Sequence, residues 1–162
     1  MSWRDRPPTP MTPIRICSLG GGVFSKLLLD AFASMAASTA GPKLLPQNQP
    51  LDLFVTVTDY YGHDQMLRLN SPPVVAEAEH RLTIDFSTRG RSDLADIPEL
   101  IFAARATASF PGAFPPFSAR ELDTLLAANN TEWKGRDAFL KRILPQQFAA
   151  GVAQDTMLID GS

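Results

Sequence analysis

The run LDLFVTVTDYY, residues 51–61, constrains the fold of this chain more than any other stretch. It places β-branched and apolar residues side by side, which predicts a buried strand in a sheet covered on both faces. Two more strands are predicted after it. The alternating segment GHDQMLRLN would follow through a hairpin at Gly62, and HRLTIDFS would come next. The middle of the chain is therefore expected to be β-rich.

A helix is predicted before this region, over residues 23–37. Phe24, Leu28, Ala31 and Met35 recur there at helical spacing and would form its apolar face. The segment STAGPKLLPQNQP then interrupts the pattern with glycine and several prolines, which is typical of an extended linker.

Three helical segments are predicted after the β-rich region. Either Asp93 or Asp96 can cap the first, which carries Pro98 in its opening turn. The second begins at a capping-box pattern, in which Ser118 is followed by Glu121. The third, GRDAFLKRILPQQFAAGVA, would be bent or broken at its internal proline.

Short strand-like segments stand at both ends of this pattern, PIRIC near the start and TMLID near the end. Strands separated by helices favour an α/β fold in layers, with a partly parallel central sheet. We expect residues 1–13 to be a disordered proline-rich lead-in and residues 14–162 to form one domain.

Composition excludes several classes of function. Fifteen Lys and Arg balance 17 Asp and Glu, so the sequence predicts no basic face and no nucleic-acid partner. The single cysteine, Cys17, cannot form an internal disulfide or a zinc site. The start of the chain lacks the apolar core of a signal peptide, so we expect a cytoplasmic protein.

Asp160 is the first candidate site residue, because it ends the strand-like run TMLID. Active-site side chains collect at the carboxyl ends of strands in α/β sheets. Gly161 follows it and would allow the backbone to approach a neighbour closely. Asp-Gly is also a common turn dipeptide, so local sequence alone leaves a simple turn open.

The segment AARATASFPGAFPPF supplies a second, more specific feature. Its three prolines and Gly112 predict a stiff apolar loop after a helix end. Residues 104–116, which include Arg105, Pro111 and Gly112, strongly resemble the patatin-like acyl hydrolases, in which such a helix end precedes a proline-rich turn and a later strand ends in Asp-Gly. The resemblance extends less specifically over most of the chain from about Ser18.

The resemblance implies a partial three-layer α/β/α hydrolase domain with a Ser-Asp dyad that cleaves lipid or small esters without a cofactor. Asp160 would be the base that takes the proton from the serine hydroxyl. Backbone N–H groups of a glycine-rich loop would stabilise the negative charge of the intermediate.

The nucleophile of the family lies in Gly-x-Ser-x-Gly, and the sequence contains no such pentapeptide. The nearest approach is ICSLGGG, in which Ser18 precedes a helix but Ile16 replaces the first glycine. We interpret Ser18 as a capping or loop serine, with a role as nucleophile as the alternative. The glycine run has no phosphate-loop or dinucleotide-loop pattern and is expected to be a flexible helix entrance.

Other polar residues have weaker claims to a site. His63, in the expected hairpin turn, and His80, in a polar run, are predicted to be solvated. Asp59 ends the central strand and is a second candidate carboxylate, with turn capping as the alternative. Arg105 would anchor carbonyls of the proline-rich loop. Three phenylalanines could line an acyl pocket or belong to the core, namely Phe110, Phe114 and Phe117.

Three functions remain open from the sequence. The chain is a portion of a patatin-like acyl hydrolase that keeps Asp160 and is inactive alone, and its ending soon after Asp160 is expected to reflect truncation. Alternatively it is a non-catalytic binding module on the same scaffold, or a minimal esterase that uses Ser18 and Asp160. Expected partners are a lipid or ester substrate, transient contact with a membrane surface, and self-association through open sheet edges.

Overall fold

The structure, a computed structural model, describes residues 20–38, 41, 46, 49–89 and 93–161. The elements in chain order are α1 (Gly21–Ala37), β1 (Asp52–Arg68), β2 (Val74–Ser87), α2 (Ile97–Thr107), α3 (Ala119–Ala128), α4 (Arg136–Ile143), α5 (Pro145–Ala149) and β3 (Leu158–Asp160). A short 3-10 helix, Ala153–Asp155, lies between α5 and β3. The mixed α/β class is therefore confirmed. The expected strand PIRIC, the lead-in of residues 1–13 and Ser18 lie outside the described residues.

The described strands form one sheet in the order β2-β1-β3, and both pairings are antiparallel. The expected partly parallel sheet is therefore wrong for this part of the chain. The physical reason is that β2 and β3 do run in the same direction, linked by helices, but β1 lies between them. The alternation of strand, helix and strand predicts the connection from β2 to β3 correctly, but it does not show that the antiparallel strand β1 lies between them.

The helices cover only one face of this sheet, so the expected three-layer arrangement and the burial of the central strand on both faces are also wrong for the described residues. Val57 and Ile84 point into the core, with 1% of each exposed. On the opposite face Phe54 is 67% exposed, and Thr56 and Thr83 are exposed too. Such one-sided burial is common in antiparallel sheets.

The expected hairpin at Gly62 is replaced by an irregularity within one long strand. β1 continues through Gly62, and its register with β2 shifts between Thr58 and His63. Gly62 has a positive φ of 75°, and a Cβ there would lie 2.7 Å from an atom of the His80 ring. The glycine therefore allows a β-bulge in β1. The turn of the hairpin is formed by residues 69–73.

The helices agree closely with their predictions. α1 begins at Gly21 rather than residue 23, and its buried side is formed by Gly21, Ser25 and Leu29. The predicted apolar face of α1 is only partly buried, because Met35 is 67% exposed. Asp96 and Ser118 occupy the N-cap positions of α2 and α3, although neither side chain makes a capping hydrogen bond.

The predicted third segment is broken at its proline into α4 and α5. One core lies between the sheet and the helices, and Phe102, Phe117, Trp133 and Phe139 contact one another near its centre. α1 packs on α2 and α3. None of the helices in the described ranges combines the length and apolar character that crossing a bilayer requires.

Candidate functional site

Asp160 lies where the two most informative sequence segments meet. It is the last residue of β3, and its backbone N–H donates to the carbonyl oxygen of Ser109 over 3.1 Å. Ser109 follows Ala108, the C-cap residue of α2. A second contact joins the same segments, because Phe117 and Leu158 exchange two backbone hydrogen bonds of 2.8 and 2.7 Å. The proline-rich loop and the Asp-Gly strand end are therefore neighbours in space.

The position of Asp160 in the sheet gives its carboxylate a partly covered location. Asp160 stands opposite Val57 in the antiparallel pairing of β3 with β1, and opposite residues share a face. Val57 faces the core, so Asp160 lies on the helix side of the sheet, and it is only partly exposed.

Gly161 lies against the backbone of β1. A Cβ at this position would lie 2.6 Å from the backbone nitrogen of Val57 and closer still to the carbonyl group of Thr56. No side chain fits there without moving the strand, so the close approach expected for Gly161 is present.

Arg105 is completely buried and anchors the start of the proline-rich loop. Its guanidinium donates to Ser109 Oγ over 2.6 Å and to the Pro115 carbonyl over 3.2 Å. It also forms an ion pair with Glu121, whose Oε1 accepts from Arg105 Nε over 3.1 Å. Phe117 packs 5.4 Å from the guanidinium carbon. The predicted anchoring of a loop carbonyl is therefore present.

Glu121 performs a different task from the expected helix capping. Besides pairing with Arg105, its Oε1 accepts a short hydrogen bond from the hydroxyl of Ser25 on α1. Gly21 approaches the same group so closely that a Cβ would lie 2.6 Å from Arg105 Nη2. The first turn of α1 is thus packed against the ion pair, which gives Gly21 a structural role that the glycine run did not reveal.

Ser25 and Glu121 are a serine and a carboxylate in hydrogen-bond contact, but they do not form a nucleophilic pair. Ser25 is completely buried, so no substrate can reach its hydroxyl. The carboxylate of Glu121 is already paired with the guanidinium of Arg105. This contact therefore ties α1, α2 and α3 together.

The three phenylalanines of the proline-rich segment have three different environments. Phe117 belongs to the core, Phe114 stacks on Phe24 with ring centroids 4.9 Å apart, and Phe110 is 57% exposed. Pro111 and Gly112 form the exposed tip of the loop, where Gly112 has a φ of 95°. The chain therefore presents one aromatic ring at this loop.

A second polar cluster surrounds Asp59, which is 2% exposed. Its Oδ2 accepts from Gln147 Nε2 over 2.8 Å, and its Oδ1 accepts from the backbone N–H of Tyr61 over 3.2 Å. His63 Nδ1 lies 3.7 Å from the same Oδ2 and has no hydrogen-bond partner. His80 Nδ1 lies 2.8 Å from the Asp59 carbonyl oxygen.

The side chain of His63 is only 14% exposed, so the prediction that it is solvated is wrong. The reason is the bulge, which turns the ring inward instead of placing it at a hairpin tip. His80 is exposed, as predicted. Sequence reasoning missed Gln147 entirely, because a single glutamine in a helix carries no signal for a partner 88 residues away.

No protein-family model matches this chain, and neither the curated proteins nor the solved structures include a significant match. Within the part of the chain that the structure describes, no cluster of three or more His, Cys, Asp or Glu residues could hold a metal ion. The chemistry of the site therefore has to be inferred from the residues around Asp160.

Proposed function

We propose that this chain is a portion of a patatin-like lipid acyl hydrolase, that it supplies Asp160 as the base of a Ser-Asp dyad, and that it is inactive alone. The observation that carries the proposal is the hydrogen bond between the Asp160 N–H and the Ser109 carbonyl. It joins the two segments on which the resemblance to that family rests.

The surroundings of Asp160 suit a fixed catalytic carboxylate. A base must be held within about 3 Å of the proton that it takes. The backbone of Asp160 is fixed by β1 on one side and by Ser109 on the other. Arg105 in turn fixes Ser109 through its hydroxyl. The carboxylate would thus be presented from a rigid strand rather than from a free loop.

In the proposed reaction, a serine oxygen attacks the carbonyl carbon of an ester while Asp160 takes the hydroxyl proton. The acyl-enzyme then forms as the ester bond breaks and the alcohol leaves with the proton held by Asp160. In a second step Asp160 takes a proton from water, whose oxygen attacks the acyl carbon, and the acid leaves as the proton returns to the serine oxygen. The serine and the N–H groups that stabilise the oxyanion would come from outside residues 20–161. A lipid or small ester is the proposed substrate, reached by transient contact with a membrane surface in the cytoplasm, and no cofactor is required.

A graft tests the proposal directly. Residues 97–161 would replace the corresponding segment of an active patatin-like hydrolase, and ester hydrolysis would be measured. We expect activity that falls at least about a hundredfold with Asp160→Asn, as expected for loss of a general base. Asp137→Asn is the matched control, because the Asp137 side chain is 75% exposed on α4. A graft whose activity does not depend on Asp160 would exclude this role.

Labelling of the complete chain with a fluorophosphonate separates the remaining alternatives. The proposal predicts no labelling of the folded chain. Labelling that is lost with Ser18→Ala and reduced with Asp160→Asn would instead support a minimal esterase. A chain that remains unlabelled and whose graft is inactive would support a non-catalytic binding module.

A further inference from the structure

The hairpin of β1 and β2 extends past the rest of the sheet as a two-stranded arm, formed by residues 61–68 and 74–80. β3 pairs with β1 only from Val57 to Asp59, with one more backbone bond from the Tyr60 N–H to the Met157 carbonyl. Most residues of the arm are exposed on both faces. A two-stranded ribbon is marginally stable in water without a further strand or a covering element. The arm is therefore the part of the described fold that most lacks a partner.

The outer edge of β2 is occupied at two places. On β2, Glu79 Oε1 accepts the backbone N–H groups of His80 and Arg81, over 3.0 and 2.8 Å. Further along β2, Arg142 Nη1 donates to the carbonyl of Asp85 over 2.8 Å. Side chains that bond to an edge strand in this way block pairing with another chain.

The edge of β3 is occupied as well, by the backbones of Ser109 and Phe117. By contrast, no side chain of the described residues bonds to the backbone of residues 62–68 of β1. Within the described part of the chain, that edge is open to a further strand.

The charges along this edge specify a partner. Asp64, Met66 and Arg68 alternate along β1 on one exposed face of the arm. If the same edge of a second copy pairs antiparallel with Met66 on the two-fold axis, Asp64 stands opposite the partner's Arg68, and Arg68 opposite the partner's Asp64. Opposite charges at such positions stabilise a sheet, and like charges destabilise it.

Other registers lose this match. Sliding one copy by two residues places a charged side chain opposite Met66, and sliding it by four opposes two Asp64 or two Arg68 side chains. Sliding by one residue would put the pleats out of phase. The register centred on Met66 is thus favoured by both charge and pleat.

Apolar side chains on the same face support the same register. Met66 is 66% exposed, and its neighbour across the hairpin is Ala76. Arg68 stands opposite Val74, which is 50% exposed. Pairing two copies at Met66 would bring the two methionines together and join their alanine and valine neighbours into one apolar stripe. Residues that face water in one copy would then be covered.

We propose that this edge of β1 is a dimerisation surface, on which a second copy of the chain pairs antiparallel through residues 64–68 to form a continuous sheet in the order β2-β1-β1-β2. The two-fold symmetry uses the same edge of both copies, so the assembly closes as a dimer and does not grow into a filament. This inference does not depend on the acyl hydrolase function.

Sedimentation velocity of the complete chain over a wide concentration range tests the dimer. We expect a monomer–dimer equilibrium that Asp64→Arg and Arg68→Asp each weaken about tenfold, since each change turns both attractive pairs into repulsive ones. The double exchange, Asp64→Arg with Arg68→Asp, should restore the dimer to within about threefold. Glu77→Lys, on β2, is the control and should have no effect. Circular dichroism would confirm that every variant is folded.

Cross-linking tests the register. In a Cys17→Ser background, Met66→Cys should form a disulfide between copies, because residues opposite each other across the axis lie within disulfide range. Ala76→Cys, one strand further from the axis, should not. A chain that stays monomeric at all concentrations, single charge variants without effect, or cross-linking at residue 76 but not at residue 66 would each overturn the proposal.

Discussion

Gly161 leaves no space for a side chain at the end of β3, because the backbone of Thr56 and Val57 fills the position of a Cβ. A substitution there must push two strands apart next to Asp160. The neighbouring site residue therefore depends on glycine for its position, whatever its chemical role.

Gly161→Ala should lower the free energy of unfolding by about 3 kcal/mol, as expected for overpacking against backbone that cannot move aside. Thermal and urea denaturation would measure the change. Gly22→Ala is the matched control, since nothing lies within 4 Å of a Cβ at that position of α1. It should leave stability unchanged or raise it by up to about 1 kcal/mol, because alanine favours a helix more than glycine does. Equal effects at both positions would contradict the close approach at β3.

Single residues were predictable where their role is local. An Asp-Gly pair after a strand implies a close backbone approach, and Gly161 shows it. The local spacing predicts that Glu121 caps a helix, because it cannot reveal that Arg105 and Ser25 both donate hydrogen bonds to the Glu121 carboxylate. The prediction that His63 is solvated fails for the same reason, since only the bulge in β1 brings its ring next to Asp59.

At the scale of secondary-structure elements, the ion pair between Arg105 and Glu121 joins the three helices next to the site. Arg105 lies on α2, Glu121 on α3, and Ser25 of α1 donates to the same carboxylate. Because Arg105 is completely buried, neither charge can be removed alone without leaving the other poorly solvated.

Arg105→Met should destabilise the fold by about 3 to 5 kcal/mol, because it leaves the Glu121 carboxylate without its cation. Adding Glu121→Leu should recover part of this loss, as the unpaired charge is then absent. Arg142→Lys alters an exposed ion pair with Asp85 and should cost less than about 1 kcal/mol. Urea denaturation of the parent chain and the three variants provides the comparison. If the double variant were less stable than Arg105→Met alone, Glu121 would have to stabilise the fold through contacts other than its ion pair with Arg105.

A second ion pair links α3 to the 3-10 helix that precedes β3. Arg120 makes two hydrogen bonds to the carboxylate of Asp155, and this contact holds the pKa of Asp155 below its ordinary value. A carboxyl group with a lowered pKa in the folded state contributes stability above its unfolded pKa. That contribution is lost as the pH falls through the folded value.

Asp155→Asn should therefore reduce the dependence of stability on pH below about pH 4, the ordinary range for an aspartate. Above that pH the variant should be slightly less stable than the parent chain, and the two should converge on acidification. Thermal denaturation at a series of pH values would show this. Arg120→Gln should produce the same convergence, and a parallel offset at all pH values would argue against the ion pair as its cause.

The boundaries of elements followed well from the sequence. Proline and N-cap residue types predict the starts of α2, α3 and α5 correctly, because their preferences act within one helical turn, although Asp96 and Ser118 make no capping hydrogen bond. The prediction of a hairpin turn at Gly62 is wrong, since a glycine with a positive φ occurs in β-bulges as well as in hairpin turns. The hairpin instead closes at residues 69–73, where two prolines interrupt the ladder.

At the scale of the whole molecule, one part of the described fold packs around the core and the other part is a two-stranded ribbon. The helices and the segment where β3 pairs with β1 enclose the core, whereas the arm of residues 61–68 and 74–80 extends past the pairing with β3 and most of its residues are exposed. Pairing order is a long-range property, so the alternation of strands and helices predicted the α/β class but not that β1 separates β2 from β3.

This asymmetry predicts how the molecule opens. Amide hydrogen exchange should be slowest in α2 and at Val57 to Asp59 of β1, where backbone hydrogen bonds lie beneath buried side chains. The arm should exchange much faster in dilute solution, because its amides are bonded within a two-stranded ribbon.

Raising the protein concentration should then slow exchange in residues 62–68 selectively if two copies pair there, while residues 74–80 change less. Uniform protection along β1 at every concentration would mean that the arm is as stable as the core. The same experiment on Arg68→Asp separates the two causes: loss of the concentration dependence with unchanged protection at residues 57–59 would locate the effect in pairing between copies, because the core hydrogen bonds do not involve the arm.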